Sequence, residues 1–223
     1  MSAPRREIVC GEALAWLAAN PAAPNTSVVT SLPDISELPG ATLDSWRTWF
    51  VDAAARVMTW VPPESVAIFY QSDVLHGGAW IDKGYLVQRA AEREGATLLW
   101  HSIVCRAKAG TVSRGRPKYS HMLCFTRGAH VSTARVADVH ESAGFMPWSR
   151  AMGVKACRVA CAYLRDATIT RTVVDPFCGR GTVLAIANEM GFDTVGVELG
   201  QKRCRVARNL VAADLAREPE EQY

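Results

Sequence analysis

The chain has 223 residues, 49% hydrophobic and 21% charged, with a formal net charge of +3 at pH 7. That length sets an expectation of one domain, residues 1–223, with a sizeable buried core, and the composition excludes a disordered or low-complexity chain. The small positive excess is only weak support for a polyanionic partner, and nowhere do 18 apolar residues run together to cross a membrane.

Glu7 to Cys10 reads as a short strand ending at Gly11-Glu12, with an apolar helical face from Ala13 to Leu17 behind it. Glu12 at the strand tip either faces a ligand or is a solvated first-turn acid that complements the helix dipole. Val28 to Thr30 is a strand that stops at Ser31-Leu32-Pro33-Asp34. From Ala41 to Trp60 a helical spacing carries Trp46, Trp49 or Phe50, Ala53 and Val57, which predicts a core-facing stripe. Val66 to Tyr70 is an apolar strand, and its tip, Gln71-Ser72-Asp73, lies where substrate loops gather in an open α/β sheet. Lys83 to Glu94 is expected to be a helix, Thr97 to Cys105 a strand, and His121 to Thr126 the last strand of an antiparallel hairpin. The loop inside that hairpin holds Arg106, Lys108, Arg114, Arg116 and Lys118. Such a density of cations suits phosphate contacts, or else belongs to a merely solvated loop.

Residues 129–145 read as a polar connector, and Trp148 to Arg165 as a helix carrying Val154, Cys157, Cys161 and Leu164 inward. The cysteine pair at i, i+4 is read as core packing, and no metal is expected. Thr172 to Thr182 then reads Thr-Val-Val-Asp-Pro-Phe-Cys-Gly-Arg-Gly-Thr: a strand ending in Asp175, a proline stop, a turn through Gly179 and Gly181, and a helix from Val183 to Met190. A second strand, Thr194 to Val197, presents Glu198, where one carboxylate can take both hydroxyls of a ribose. A dinucleotide site would want a third glycine at Leu184, and no Gly-Lys-Ser/Thr follows to make a phosphate loop. Asp175 would repel a pyrophosphate but accept an ammonium, which leaves S-adenosyl-L-methionine as the cofactor. A final helix is expected from Gln201 to Leu215, with Cys204, Ala207 and Leu210 inward, followed by a frayed tail from Glu218 to Tyr223. Seven cysteines, an odd number without paired short spacings, read as reduced thiols, and no signal segment follows Arg5-Arg6, so a cytoplasmic protein is expected.

The Asp-Pro-Phe-Cys-Gly-Arg-Gly-Thr stretch resembles the first motif of S-adenosylmethionine-dependent methyltransferases, in the form typical of amino methyltransferases acting on nucleic acid bases. Gly11-Glu12-Ala13-Leu14 resembles the opening motif of their circularly permuted, β-type group and its RNA-acting relatives, and Ser31-Leu32-Pro33-Asp34 falls where that group keeps its catalytic tetrapeptide. Leu98-Leu99-Trp100-His101, the basic loop after it and Tyr119 to Arg127 resemble the end of its catalytic half. The resemblance implies an α/β, Rossmann-like methyltransferase fold with a mostly parallel seven-stranded sheet, an antiparallel last hairpin and permuted motif order. Residues 1–145 would form the catalytic half and 146–223 the cofactor-binding half.

It also assigns roles. Asp175, Pro176, Phe177, Gly179, Gly181, Thr182, Glu198 and Leu199 would hold the cofactor, Glu12 and Ala13 would lie near its adenine, and Ser149 to Gly153 would line its methionine end. Ser31, Leu32, Pro33 and Asp34 would be catalytic: the Ser31 hydroxyl and the Leu32 carbonyl take hydrogens from the acceptor amino group, Pro33 stiffens the turn, and Asp34 accepts a proton or a further hydrogen bond. The tetrapeptide departs from Asp/Asn/Ser-Pro-Pro-aromatic at Leu32 and Asp34, so the missing base stack would fall to Trp46, Trp80 or Tyr70. The implied substrate is an amino nitrogen of a base in RNA, foremost tRNA, contacted by Arg106, Lys108, Arg114, Arg116 and Lys118. DNA, a small molecule or a protein is the alternative acceptor, and an inactive cofactor-binding partner subunit is the alternative role.

Overall fold

The computed structural model describes residues 3–113, 115–128 and 136–216, so Arg114, the first half of the expected connector and the tail from Glu218 lie outside the described residues. The elements follow the hydrophobic pattern in order: β1 (Arg6–Cys10), α1 (Ala13–Ala19), β2 (Thr26–Thr30), α2 (Leu43–Trp60), β3 (Ala67–Gln71), β4 (Val74–His76), β5 (Ala79–Ile81), α3 (Lys83–Glu94), β6 (Thr97–Cys105) and β7 (Tyr119–Thr126). After the hairpin come β8 (Val139–His140), α4 (Val154–Ala167), β9 (Thr172–Asp175), α5 (Thr182–Glu189), β10 (Asp193–Glu198) and α6 (Gln201–Asn209). All but β4 and β5 of the strands join one sheet in the order β1-β10-β9-β2-β3-β7-β6-β8. From β1 through β3 the pairs are parallel, and β7 runs antiparallel between β3 and β6. Parallel strands buried on both faces need apolar runs rather than alternation, and β2 and β3 are buried along their whole length.

Helices cover both faces. On one, Trp46, Phe50, Ala53 and Val57 of α2 are fully buried together with Leu86, Val87 and Ala90 of α3. On the other, Cys157, Cys161 and Leu164 of α4 pack with Ile186 of α5. The stripe of α2 therefore runs through Phe50, and Trp49 turns aside to meet Phe177 edge-on, with ring centroids 6.1 Å apart.

Four expectations need correction. The sheet has an eighth strand: within the stretch read as a connector, Ser102 donates to the Ala137 carbonyl at 2.7 Å and Ile103 N to the Asp138 carbonyl at 2.8 Å, which draws β8 onto the edge of β6. Helix α4 starts at Val154, not near Trp148, because Gly153 lies hard against the Ala143 carbonyl, where a Cβ would clash, and residues 148–153 turn and bend ahead of the helix. Helix α6 ends at Asn209, because the Arg6 guanidinium takes the carbonyls of Ala207 and Leu210, and a short 3-10 turn carries on to Leu215. Cys10 and Cys204 are not the reduced thiols expected of all seven cysteines: Cys10 is exposed at the end of β1, and a disulfide joins it to Cys204 of α6, whose Cα lies 6.1 Å away. No helix among the described residues is long and apolar enough to cross a membrane.

Phe50 fills the space between α2, α3 and the sheet, so Phe50→Ala is expected to cost about 3–5 kcal/mol of unfolding free energy. Chemical denaturation, with an unchanged denaturant slope, checks this.

Candidate active site

At the carboxyl ends of the strands, β9 and β2 lie side by side while their chains depart in opposite directions, β9 toward β10 and β2 toward β3. Such a reversal leaves a crevice between the departing loops, the usual ligand position in an open α/β sheet. Here it is a cavity of about 630 Å³. Gly179 (φ 56°) and Gly181 (φ 86°) turn the chain from β9 into α5 through the left-handed region, where a side chain would be strained. Gly181 also lets α6 approach, since a Cβ there would stand 3.1 Å from the Ala207 Cα.

The cavity gathers most of the residues singled out in the sequence. Glu12 and Ala13 form one wall, Ser31, Leu32 and Pro33 another, and Asp175, Pro176, Phe177, Gly179 and Thr182 the floor beside Glu198 and Leu199. Gly181 lies behind the lining and Asp34 beneath it. Residues 148–152 close the remaining side, with the Arg180 guanidinium stacked 5.1 Å over the Trp148 ring.

The acids are held differently. Asp175 is buried, with Thr30 Oγ1 donating to it at 2.7 Å and Phe177 N at 3.1 Å, and burial pushes its carboxyl up to about 7. Glu198 Oε1 accepts from Gly200 N at 2.5 Å and Arg203 Nε at 2.7 Å, while Oε2 takes no bond among the described residues. Glu12 is exposed and caps α1, accepting from Leu14 N and Ala15 N, yet it also lines the cavity. The Thr182 hydroxyl is buried without a partner among the described residues.

The turn after β2 is fixed from below by groups on two helices. Trp46 Nε1 of α2 donates to the Pro33 carbonyl at 3.3 Å, and Lys83 Nζ of α3 donates to the Leu32 carbonyl at 3.3 Å and to Asp34 at 2.6 Å. Arg116 closes on the other Asp34 oxygen. Burial raises the Asp34 carboxyl, but Lys83 and Arg116 outweigh it and hold the group below the usual carboxylate range. Burial lowers the Lys83 ammonium against the pull of Asp34. Ser31 is half-buried and faces both the large cavity and a small pocket of about 40 Å³ shared with Tyr70, Arg106 and Arg150.

Lys83 escapes a reading by motif. Its signal was its spacing: it shares the stripe of Leu86, Val87 and Ala90, and a lysine on an apolar stripe needs a buried partner. The loop cations divide. Arg106 and Arg116 turn toward the small pocket, Arg106 donating to Ser72 at 3.2 Å, whereas Lys108 and Lys118 are exposed beside a second cavity of about 660 Å³ with Trp80 and Tyr119. Of the aromatics considered for base stacking, Trp46 is fully buried, Tyr70 is buried at the small pocket, and Trp80 is 51% exposed.

No protein-family model matches the chain, and no curated protein matches it significantly. Solved structures do match in fold. A putative DNA modification methylase of Thermus thermophilus, complexed with S-adenosyl-L-methionine, superposes with a TM-score of 0.72 at 19% identity, covering 95% of this chain and 96% of that one. PvuII DNA methyltransferase, cytosine-N4-specific, gives 0.74 at 13% identity over 96% and 91% of the two chains. The M1.HpyAVI complex with S-adenosylmethionine gives 0.63 at 13% identity over 92% and 100%. The chain has the methyltransferase fold. Its Rossmann-like sheet appears in permuted chain order, with the glycine-turn strand β9 late in the sequence yet central in the sheet.

The raised Asp175 carboxyl sets a pH dependence. Its folded value of about 7 stands above the ordinary 3.8, so its contribution to stability is full below about pH 4 and is lost as pH rises through about 7. The shift corresponds to a loss on the order of 4 kcal/mol. Denaturation midpoints of the ligand-free protein are expected to fall as pH is raised from about 4 to about 8, and Asp175→Asn is expected to flatten that fall.

Proposed function

We propose that the chain is an S-adenosylmethionine-dependent methyltransferase that methylates an amino nitrogen of a nucleobase. The observation that carries this is the meeting, in one cavity at the reversal of the sheet, of Asp175, the free oxygen of Glu198 and the Ser31 turn. The cavity fits the cofactor. Its volume is within the roughly 300–1,000 Å³ of small-molecule sites. The buried Thr182 hydroxyl at its lining has no partner among the described residues, and the Asp175 and Glu198 carboxylates suit an ammonium and a ribose rather than phosphates. Fold neighbours whose names include DNA modification methylase and cytosine-N4-specific methyltransferase support the same reading.

S-adenosylmethionine supplies an electrophilic methyl on a sulfonium whose departure as a neutral thioether needs no acid. The chain's own task is then to place a neutral lone pair in line with that methyl. Ser31 Oγ accepts a hydrogen from the acceptor amino group and so orients its lone pair. The Leu32 carbonyl, already held by Lys83, uses its second lone pair for the other hydrogen. Asp34, fixed between Lys83 and Arg116, acts as the anchor of the turn, and the proton of the methylated amine leaves to water. Glu198 would hold the ribose of the bound cofactor, and Asp175, in its ionised form, would hold the ammonium.

RNA is the finer reading of the acceptor. Asp34 gives no aromatic face to hold a base extruded from a duplex, and a single-stranded loop presents its bases without extrusion. DNA is the second reading, favoured by the names of the fold neighbours, whose chains are of nearly the same extent as this one. Incubation with methyl-labelled cofactor and total RNA or DNA is expected to label RNA. Label in DNA alone would transfer the acceptor to DNA, and label in neither would remove the nucleobase. Ser31→Ala is expected to lower kcat roughly 10- to 100-fold with little change in cofactor affinity, and Glu198→Ala to weaken cofactor binding by a similar factor. Single-turnover rates and calorimetric titration separate the two.

A further inference from the structure

Beyond the large cavity, three side chains from three separate elements converge past the end of β3. Asp73 follows β3, Asp82 is the N-cap of α3, and His121 stands in β7 opposite Gln71. One donor atom from each lies within 4.8 Å of the others. His121 Nε2 is 3.2 Å from Asp73 Oδ1 and 3.7 Å from Asp82 Oδ1. Those spacings bracket the edge of about 3.3–3.4 Å that a tetrahedral site has when its metal–ligand bonds are about 2.0–2.1 Å.

The groups around the three donors hold them in place. Lys83 N donates to Asp73 Oδ1 at 2.9 Å, Tyr119 OH to Asp73 Oδ2 at 3.1 Å, and Tyr85 N to Asp82 Oδ1 at 2.8 Å. His101 Nε2 lies 3.1 Å from His121 Nδ1, so the ring nitrogen that faces away from the carboxylates has a partner that can accept its hydrogen, the role a carboxylate, carbonyl or water usually plays for a metal-ligating imidazole. Gly84 makes room for that ring: a Cβ there would stand 2.9 Å from His121 Cγ. A helix-favouring alanine at this position would push the imidazole away from the two acids.

Two further observations point to a ligand. Asp73, Asp82 and Tyr119 open onto the cavity of about 660 Å³, which leaves a direction for a fourth, water ligand. Gln71, paired in register with His121, is fully buried, and both atoms of its amide lack a partner among the described residues. Buried amides without partners are rare, and a water held by a bound ion would satisfy one.

We propose that Asp73, Asp82 and His121 form a binding site for one divalent transition-metal ion, with zinc as the probe. Two carboxylates and one imidazole carry two negative charges toward the ion, and the imidazole favours a transition metal over calcium or magnesium. The site lies apart from the methyl-transfer reading, although Lys83 touches both: its backbone N–H holds Asp73 and its ammonium holds the Ser31 turn. A bound ion would therefore fix the start of α3 beneath that turn.

The test is titration of the chelator-treated full chain with zinc by calorimetry, repeated with cobalt to read the visible absorption of a tetrahedral ion. One ion per chain is expected. Asp82→Asn keeps the helix cap, since asparagine caps as well as aspartate, and is expected to weaken binding about 100-fold or more while leaving the fold and cofactor affinity unchanged. His121→Asn is expected to abolish the cobalt band. No binding by the wild type, or equal binding by the wild type and both variants, would overturn the proposal. Because cofactor affinity is measured in parallel, loss of the metal site and failure of the methyltransferase reading give different results.

Discussion

The sheet depends on one seam. Strands β2 and β9 are far apart in the chain yet lie side by side, and two buried hydroxyl contacts close the join: Ser27 Oγ to Thr170 Oγ1 at 2.6 Å near one end and Thr30 Oγ1 to Asp175 at 2.7 Å near the other. A buried carboxyl without a donor would cost far more than such a bond returns, so the Thr30 contact is what lets Asp175 stand at the strand tip. With β2 and β9 in register, Ser31 and Asp175 enter the same cavity, and the parallel pair β1 and β10 brings Cys10 level with Glu198 and Gly11 N onto the Glu198 carbonyl at 3.1 Å. The permuted chain thus builds one site from its two ends.

Charge is arranged in two layers around that site. Acids at the strand tips line the cavity, with Arg203 paired to Glu198 and Arg150 to Glu37 at its rim, and further cations lie beneath the Ser31 turn, where Lys83 and Arg116 neutralise Asp34. A buried ion pair of this kind adds little net stability, because desolvation offsets the attraction, but it fixes one geometry. The geometry it fixes is that of the turn: Lys83 on the Leu32 carbonyl and Asp34, Trp46 on the Pro33 carbonyl. An aspartate in fourth place, where the resembled group keeps an aromatic, therefore has a structural occupation of its own.

Much of this was legible in the sequence where local chemistry decides it. Apolar runs and glycine turns located β9, α5 and β10, and a helical stripe through Trp46, Ala53 and Val57 placed α2 against the sheet. The cavity wall from Glu12 through Glu198 followed from acids at strand tips. What the sequence concealed depends on contacts distant in the chain. The early end of α6 comes from Arg6, the late start of α4 from Ala143, and the eighth strand from main-chain bonds to β6. The division of the loop cations follows from Asp34, 82 positions before Arg116, and no spacing within the loop foretells it.

The most direct measurement is a crystal structure of the full chain with S-adenosylmethionine bound. The adenosyl ribose is expected on Glu198, the ammonium on Asp175, and the methyl directed at Ser31 and the Leu32 carbonyl. A ligand bound elsewhere, or a methyl directed away from that turn, would contradict the account.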